Sequence, residues 1–233
     1  MSGFLQGAPP REQGPLVNVP APVLLLILSF VIVHAIQMLG GEGNRLWMIF
    51  NFGLHPLHVT DTGGWATALL WFPAWIKFVS HAFLHVDLVH LAFNSLWFVV
   101  FGSIVARRTG TWRFLALFLA TAMAGGLVHV LVYPESLVPV IGASGAVSGL
   151  VGASLRFILS GGGSLEDAPL MPLFAPKLMA AVLVWSVLNF VLGTIGFTPE
   201  GFGALIAWEA HMGGFLVGLL LLPFLDRPSP APR

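Results

Sequence analysis

PAPVLLLILSFVIVHAIQML, residues 20–39, decides the fold class. Twenty residues without a formal charge rise about 30 Å as an α-helix, the thickness of a bilayer's hydrocarbon. The run is long for a signal-peptide core, and no small-residue cleavage site follows it cleanly. It reads as a first transmembrane helix. Further apolar runs at about 84–105, 113–133, 143–160, 178–196 and 210–225 bring the expected total to six. Composition agrees. Of the 233 residues 57% are hydrophobic and only 9% charged, with a mean hydropathy of +0.90. A soluble domain carries about 25% charged residues, so lipid is the natural solvent here.

The expected fold is an all-α, polytopic six-helix membrane bundle over 20–226. A flexible cytoplasmic tail over 1–19 precedes it and a disordered tail over 227–233 follows it. The first connection, 40–80, is long. With Trp47, Trp65, Trp71 and Trp75 among Gly, Pro and His, it reads as a loop resting partly in the interface. Residues 160–177 read as a polar linker. The chain contains no cysteine, which excludes disulfides, thiolate metal sites and a cysteine nucleophile. Net charge is zero and no basic block stands out, so nucleic acid is not an expected partner.

Basic residues set the expected orientation. With the N-terminus in the cytoplasm, Arg11, Arg107, Arg108, Arg113, Arg156, Lys177, Arg227 and Arg233 fall inside, eight of the ten Lys and Arg. Only Arg45 and Lys77, in the first loop, fall outside, as the positive-inside rule requires. Spans two, four and six then run from outside to inside. Each carries polar residues in its first half: His90 and Asn94, Ser144, and His211. Polar side chains inside a membrane are costly unless they face a partner or a water-filled cavity. Convergence of three distant segments at one depth therefore points to a buried site.

A serine hydroxyl becomes a nucleophile when a base in hydrogen-bond contact takes its proton, and histidine does this near neutral pH. Ser144, in Gly142-Ala143-Ser144-Gly145, stands at the expected start of a helix, where unpaired N–H groups can hold an oxyanion. His90 and Asn94, four apart, share a helix face and can donate to the same oxyanion, which leaves His211 as base. Gly145 and Gly149, and Gly214 and Gly218, give spans four and six small-residue faces for close packing; Gly142 is grouped with them. No third member of a catalytic triad is visible, since Glu209 lies two positions before His211 and on another face. His34, His129 and Asn189 read as bonds between helices. His81 and His85 have an i, i+4 spacing that could bind zinc, yet no HExxH and no neighbouring carboxylate accompany them, so no metal and no cofactor are expected.

Three motifs in order, His81-Ala-Phe-Leu-His85 through His90-Leu-Ala-Phe-Asn94, Gly142-Ala-Ser144-Gly145, and Ala210-His211-Met-Gly-Gly214-Phe-Leu-Val-Gly218, resemble those of rhomboid intramembrane serine proteases. The resemblance covers about 20–226. It implies a compact six-helix core with a water-filled cavity open to the outside. It also implies a Ser144–His211 dyad, with His90, Asn94 and the Ser144 amide as oxyanion hole. The implied substrates are single-span membrane proteins, cut near the outer face, and the setting is a bacterial inner membrane with both termini cytoplasmic. Three positions depart from the family pattern: Lys77 in place of the arginine of a Trp-Arg pair, Ala106 in place of a glutamate, and Ser148 in place of an aromatic. Two other functions remain open at this point. One is a non-catalytic relative that binds membrane clients; the other is a small transporter or channel, although the polar groups cluster at one end of the spans.

Overall fold

The computed structural model describes residues 18–61, 73–161, 165, 167–198, 201–202 and 207–227. Trp65 and Trp71, the chain before Asn18 and the chain after Arg227 lie outside these residues. The chain folds as an all-α bundle with five helices long and apolar enough to span a membrane. These are α1 (Ala21–Leu39), α5 (Leu88–Thr109), α6 (Thr111–Val132), α8 (Pro176–Thr194) and α9 (Trp208–Leu225). The fourth expected span, α7 (Ser144–Ile158), has only 15 residues, a rise of about 22 Å. Twelve of those residues are buried, so α7 is walled by protein rather than lipid and its length is not set by the bilayer.

The first connection is more ordered than its composition suggests. Read as a loop, it instead contains α2 (Gly41–Phe52), α3 (Pro56–Thr60), a 3₁₀ turn (Ala74–Ile76), α4 (Lys77–Ser80) and a second 3₁₀ turn (His81–Phe83). The carbonyls that end α2 are capped from a distance. Lys77 Nζ donates to Phe50 O at 2.5 Å and reaches Gly53 O at 3.4 Å, and Ser80 Oγ donates to Phe52 O at 2.7 Å. Lys77, which replaces an arginine of the family pattern, is fully buried in this role. The polar segment after α7 is likewise tied down, with Met171 N donating to Arg156 O at 2.6 Å. A two-residue ladder, β1 (Phe197–Thr198) with β2 (Gly201–Phe202), precedes α9.

Helices α6, α7 and α9 form the centre. A methyl group placed on Gly214 would overlap the Gly145 carbonyl, and one on Gly218 would overlap the Gly149 carbonyl. The two backbones therefore touch along α7 and α9, an approach that any larger side chain would block. On the other side of α7, Gly149 faces Thr121 of α6, and Gly145 faces the Gly125 backbone. An aromatic cluster of Phe30, Phe98, Phe114 and Phe118 joins α1, α5 and α6 with ring centroids 5.5–6.2 Å apart. Around it α5 makes a π-helical turn at Phe98–Gly102.

Candidate active site

Ser144 is the first residue of α7. No side chain caps that end, so the N–H groups of its first turn, among them that of Ser144, have no partner along the helix. The segment leading into it is held rigidly. Val140 pairs with Leu54 by two backbone hydrogen bonds of 3.1 and 2.9 Å, and Gly142 N donates to His81 O at 2.9 Å. Gly142 has φ +121°, a conformation that favours glycine, and a methyl group there would lie 2.8 Å from His90 Cε1. Gly142 thus stands before the helix and under the His90 ring, rather than on the packing face with Gly145 and Gly149 where the sequence reading grouped it.

His90 and Asn94 reach this point from α5. Asp87 caps α5, its Oδ1 accepting from His90 N at 2.8 Å, which fixes His90 in the first turn. The Asn94 amide nitrogen donates to His90 O at 3.0 Å and would lie 3.8 Å from a methyl on Gly142. Asn94 is buried and His90 half-buried. The His85 ring packs edge-on against His90 with centroids 5.3 Å apart.

His211 lies in the first turn of α9. A methyl on Gly145 would sit 3.5 Å from the Ala210 carbonyl oxygen. Ser144 and His211, next to Gly145 and Ala210, therefore occupy the same level of adjoining helices, and both are half-buried. His90 is close enough to His211 to interact electrostatically. The structure thus brings His90 and Asn94 of α5 to Gly142, and puts Ser144 of α7 level with His211 of α9.

Two polar contacts beside this group are interhelical bonds of the kind expected for Asn189 and His129, with partners that were not read from the sequence. His211 Nδ1 lies 2.9 Å from Asn189 Oδ1 on α8, while Asn189 Nδ2 donates to Trp208 O at 2.8 Å. Glu209 Oε1 pairs with His129 Nδ1 on α6 in a buried contact, and its carboxylate is still close enough to His211 to interact electrostatically. Neither pair has a local signal, because its members are 22 and 80 residues apart. His34, expected to bond a neighbouring helix, has no hydrogen-bond partner at either ring nitrogen among the described residues. The zinc spacing of His81 and His85 is not a helix face, since His81 opens a 3₁₀ turn that ends at Phe83 and His85 lies in extended chain beyond it. Among the described residues no group of three or more His, Cys, Asp or Glu is arranged to hold a metal ion.

The rings above the site are poor bases. Burial pushes the His81 imidazole down to about 4, and burial, then His90 and His34, push His85 down to about 3. His55 is lowered to about 4 by burial and by His58, which stacks on it with centroids 4.5 Å apart.

The rhomboid domain family model matches residues 73–227, which include Ser144, His211, His90, Asn94 and Asn189. The chain belongs to the rhomboid family. It is similar to the rhomboid protease GlpG of Yersinia pestis (strain Pestoides F), with 32% identity over 147 residues, 62% of this chain and 46% of the relative. The rhomboid protease GlpG of Yersinia enterocolitica is 31% identical over 146 residues, with the same coverage. The match spans less than half the length of these curated relatives. Family membership and the long apolar helices make this rhomboid an integral membrane protein.

Proposed function

We propose that this chain is an intramembrane serine endopeptidase that cuts membrane-spanning segments of other proteins with a Ser144–His211 dyad. The observation that supports the reading is the approach of α7 and α9, where a methyl on Gly145 would lie 3.5 Å from the Ala210 carbonyl oxygen, since a dyad needs Ser144 and His211 at one level of adjoining helices. Ser144 Oγ attacks the scissile carbonyl carbon as its proton passes to His211 Nε2. The carbonyl oxygen becomes an oxyanion, held by the Ser144 N–H and by donors on His90 and Asn94. His211 then gives its proton to the leaving amine, and the Ser144 ester remains. Water, activated by the same imidazole, hydrolyses that ester and restores the hydroxyl. Side chains and water suffice for every step.

Only donors that strengthen their hold as charge develops accelerate the reaction, which assigns His90 and Asn94 to the transition state rather than to binding. The substrate class that fits is a single-span protein within lipid, cut near the outer face. In that orientation the N- and C-termini face the cytoplasm, Arg107, Arg108, Arg113, Arg156 and Lys177 lie inside, and a bacterial inner membrane is the setting. Polar groups gathered at one end of the helices suit a recessed site better than a conduction path.

The test is cleavage of a single-span reporter by the purified chain in liposomes, wild type beside Ser144→Ala. Cleavage by wild type alone supports the dyad. Equal cleavage by both removes it. If neither cuts, labelling of Ser144 by a fluorophosphonate separates an enzyme with the wrong substrate from a client-binding relative.

A further inference from the structure

Helix α8 is the most lipid-exposed of the five long helices, with 11% of its span buried. It meets α9 along one stripe. The Trp185 ring stacks on Phe215 at 5.5 Å, Asn189 bonds His211, and Gly193 lies so close to Trp208 that a methyl there would be 2.5 Å from its Cβ. The three residues are four apart, so they share one face of α8. Ring stacking below and close packing above leave the middle position, Asn189, beside His211. A polar side chain at that middle position is costly in a membrane helix, and its two hydrogen bonds are what it gains.

Those two bonds fix both partners. The Trp208 carbonyl can only accept, so the group that Asn189 turns toward it must be the NH₂. The Oδ1 of Asn189 therefore faces His211, and a carbonyl oxygen can only accept there too. A neutral His211 must then carry its proton on Nδ1 and keep the lone pair on Nε2. We infer that Asn189 is the positioning residue of this site, holding His211 in the tautomer and ring orientation in which Nε2 acts as base. It fills, from α8, the place a third triad residue takes elsewhere, with an amide in place of a carboxylate. The inference rests on the reading of His211 as base.

An amide orients the imidazole without adding a negative charge beside the imidazolium. It therefore stabilises the charged intermediate less than a carboxylate would. Replacing Asn189 by leucine, similar in size and apolar, removes both hydrogen bonds and keeps the packing volume. The expected result is a fall in kcat of roughly 10–10²-fold with KM little changed, smaller than the ~10⁴-fold loss when a triad carboxylate is replaced. Asn189→Asp restores an acceptor and adds a charge, so it should recover much of kcat.

The deciding readout is the tautomer itself. In full-length protein labelled with [¹⁵N]histidine and held in lipid bicelles, the His211 signals are assigned by their loss in His211→Gln. Wild type should show a protonated Nδ1 and an unprotonated Nε2, and Asn189→Leu should show a mixture or the reverse. A wild-type ring protonated on Nε2 overturns the inference, whether or not any variant folds. So does an Asn189→Leu protein with wild-type kcat and an unchanged tautomer. Cleavage that persists in Ser144→Ala would instead sink the dyad, and leaves the tautomer measurement to stand by itself.

Discussion

At one end of the bundle Arg108, on α5, grips Asp226 at the end of α9 through two parallel hydrogen bonds of 2.7 Å. The same guanidinium donates to Ala168 O at 2.7 Å and lies 4.6 Å from the Phe157 ring, while Arg156 donates to Leu219 O and Met171 O. At the other end, around Ser144, the contacts are made mainly by histidine rings, amides, one lysine and backbone carbonyls. The arginine end gives its guanidinium groups carboxylate, carbonyl and ring partners, and a guanidinium keeps its charge. The histidine end is built from imidazoles and amides, and burial keeps the His81 and His85 rings neutral. The contrast is between an anchor that holds the helices together and, opposite it, the polar groups of the candidate site.

The sharpest way to break this contrast is to exchange consequences between the ends. Ser144→Ala should lower cleavage by at least ~10⁴-fold, since loss of a nucleophile removes nearly all catalysis, and should leave the thermal midpoint unchanged. Arg108→Ala should do the reverse. It strands a mostly buried Asp226 carboxylate without its partner, a loss of about 3–5 kcal/mol. Its denaturation midpoint should fall steeply while the turnover of the folded fraction stays near wild type. A stable Arg108→Ala protein with lost turnover would show that the two ends are not independent.

The arginine end was legible as charge and illegible as structure. Arg107, Arg108, Arg113, Arg156 and Lys177 were readable as an orientation signal, yet Arg108 and Arg156 are buried among carbonyls and rings. Their partners Asp226, Ala168 and Leu219 lie 60 to 118 residues away. The long helices were legible because hydrocarbon thickness sets a length that composition reveals. The short α7 was less so, because a helix walled by protein answers to its neighbours. At the histidine end, Ser144, His211, His90 and Asn94 could be grouped by depth alone. Gly142 could not be placed before α7 without its backbone angle, and the Asn189 contact depends on the rotation of α8, which an exposed apolar helix barely encodes. The helices of the first connection were hidden by Gly41, Gly43, Gly53 and Pro56, which punctuate them at their ends.

A smaller effect separates the parts of the histidine end. Asn94→Ala should slow turnover by about 10²-fold if its amide serves the oxyanion. Single-turnover phosphonylation of Ser144 by a fluorophosphonate, in which Oγ bonds to phosphorus and fluoride leaves, should slow in step, with unchanged substrate binding in Ser144→Ala as control. Slowing of binding alone would move Asn94 out of the oxyanion hole and into the substrate contacts.

The smallest effects are local, and pH should resolve them in two separate windows, with stability rising with pH in both. His55 and His81 have folded values of about 4 and His85 about 3, all below the ordinary histidine value. Above about 6.5 these rings are neutral in folded and unfolded chain alike, and their packing is fully available. As pH falls from 6.5 through 4 the unfolded chain takes up protons that the folded one refuses, so stability is lost. Over the fall to pH 4 each ring can account for up to about 3 kcal/mol. Lys77 is lowered to about 8 by burial, so its buried charge opposes folding below that pH, and the opposition fades as pH rises from 8 to 10.5. Amide exchange at Leu54 and Val140, corrected for the intrinsic rate, should therefore lose protection from pH 6.5 to 4.5 and gain it from 8 to 10. The Met171 amide, bonded to Arg156 O at the arginine end, should hold its protection throughout. Lys77→Met should flatten only the alkaline rise. Parallel changes at Leu54 and Met171 would mean that acid loosens the whole bundle, and the histidine end would lose its separate character.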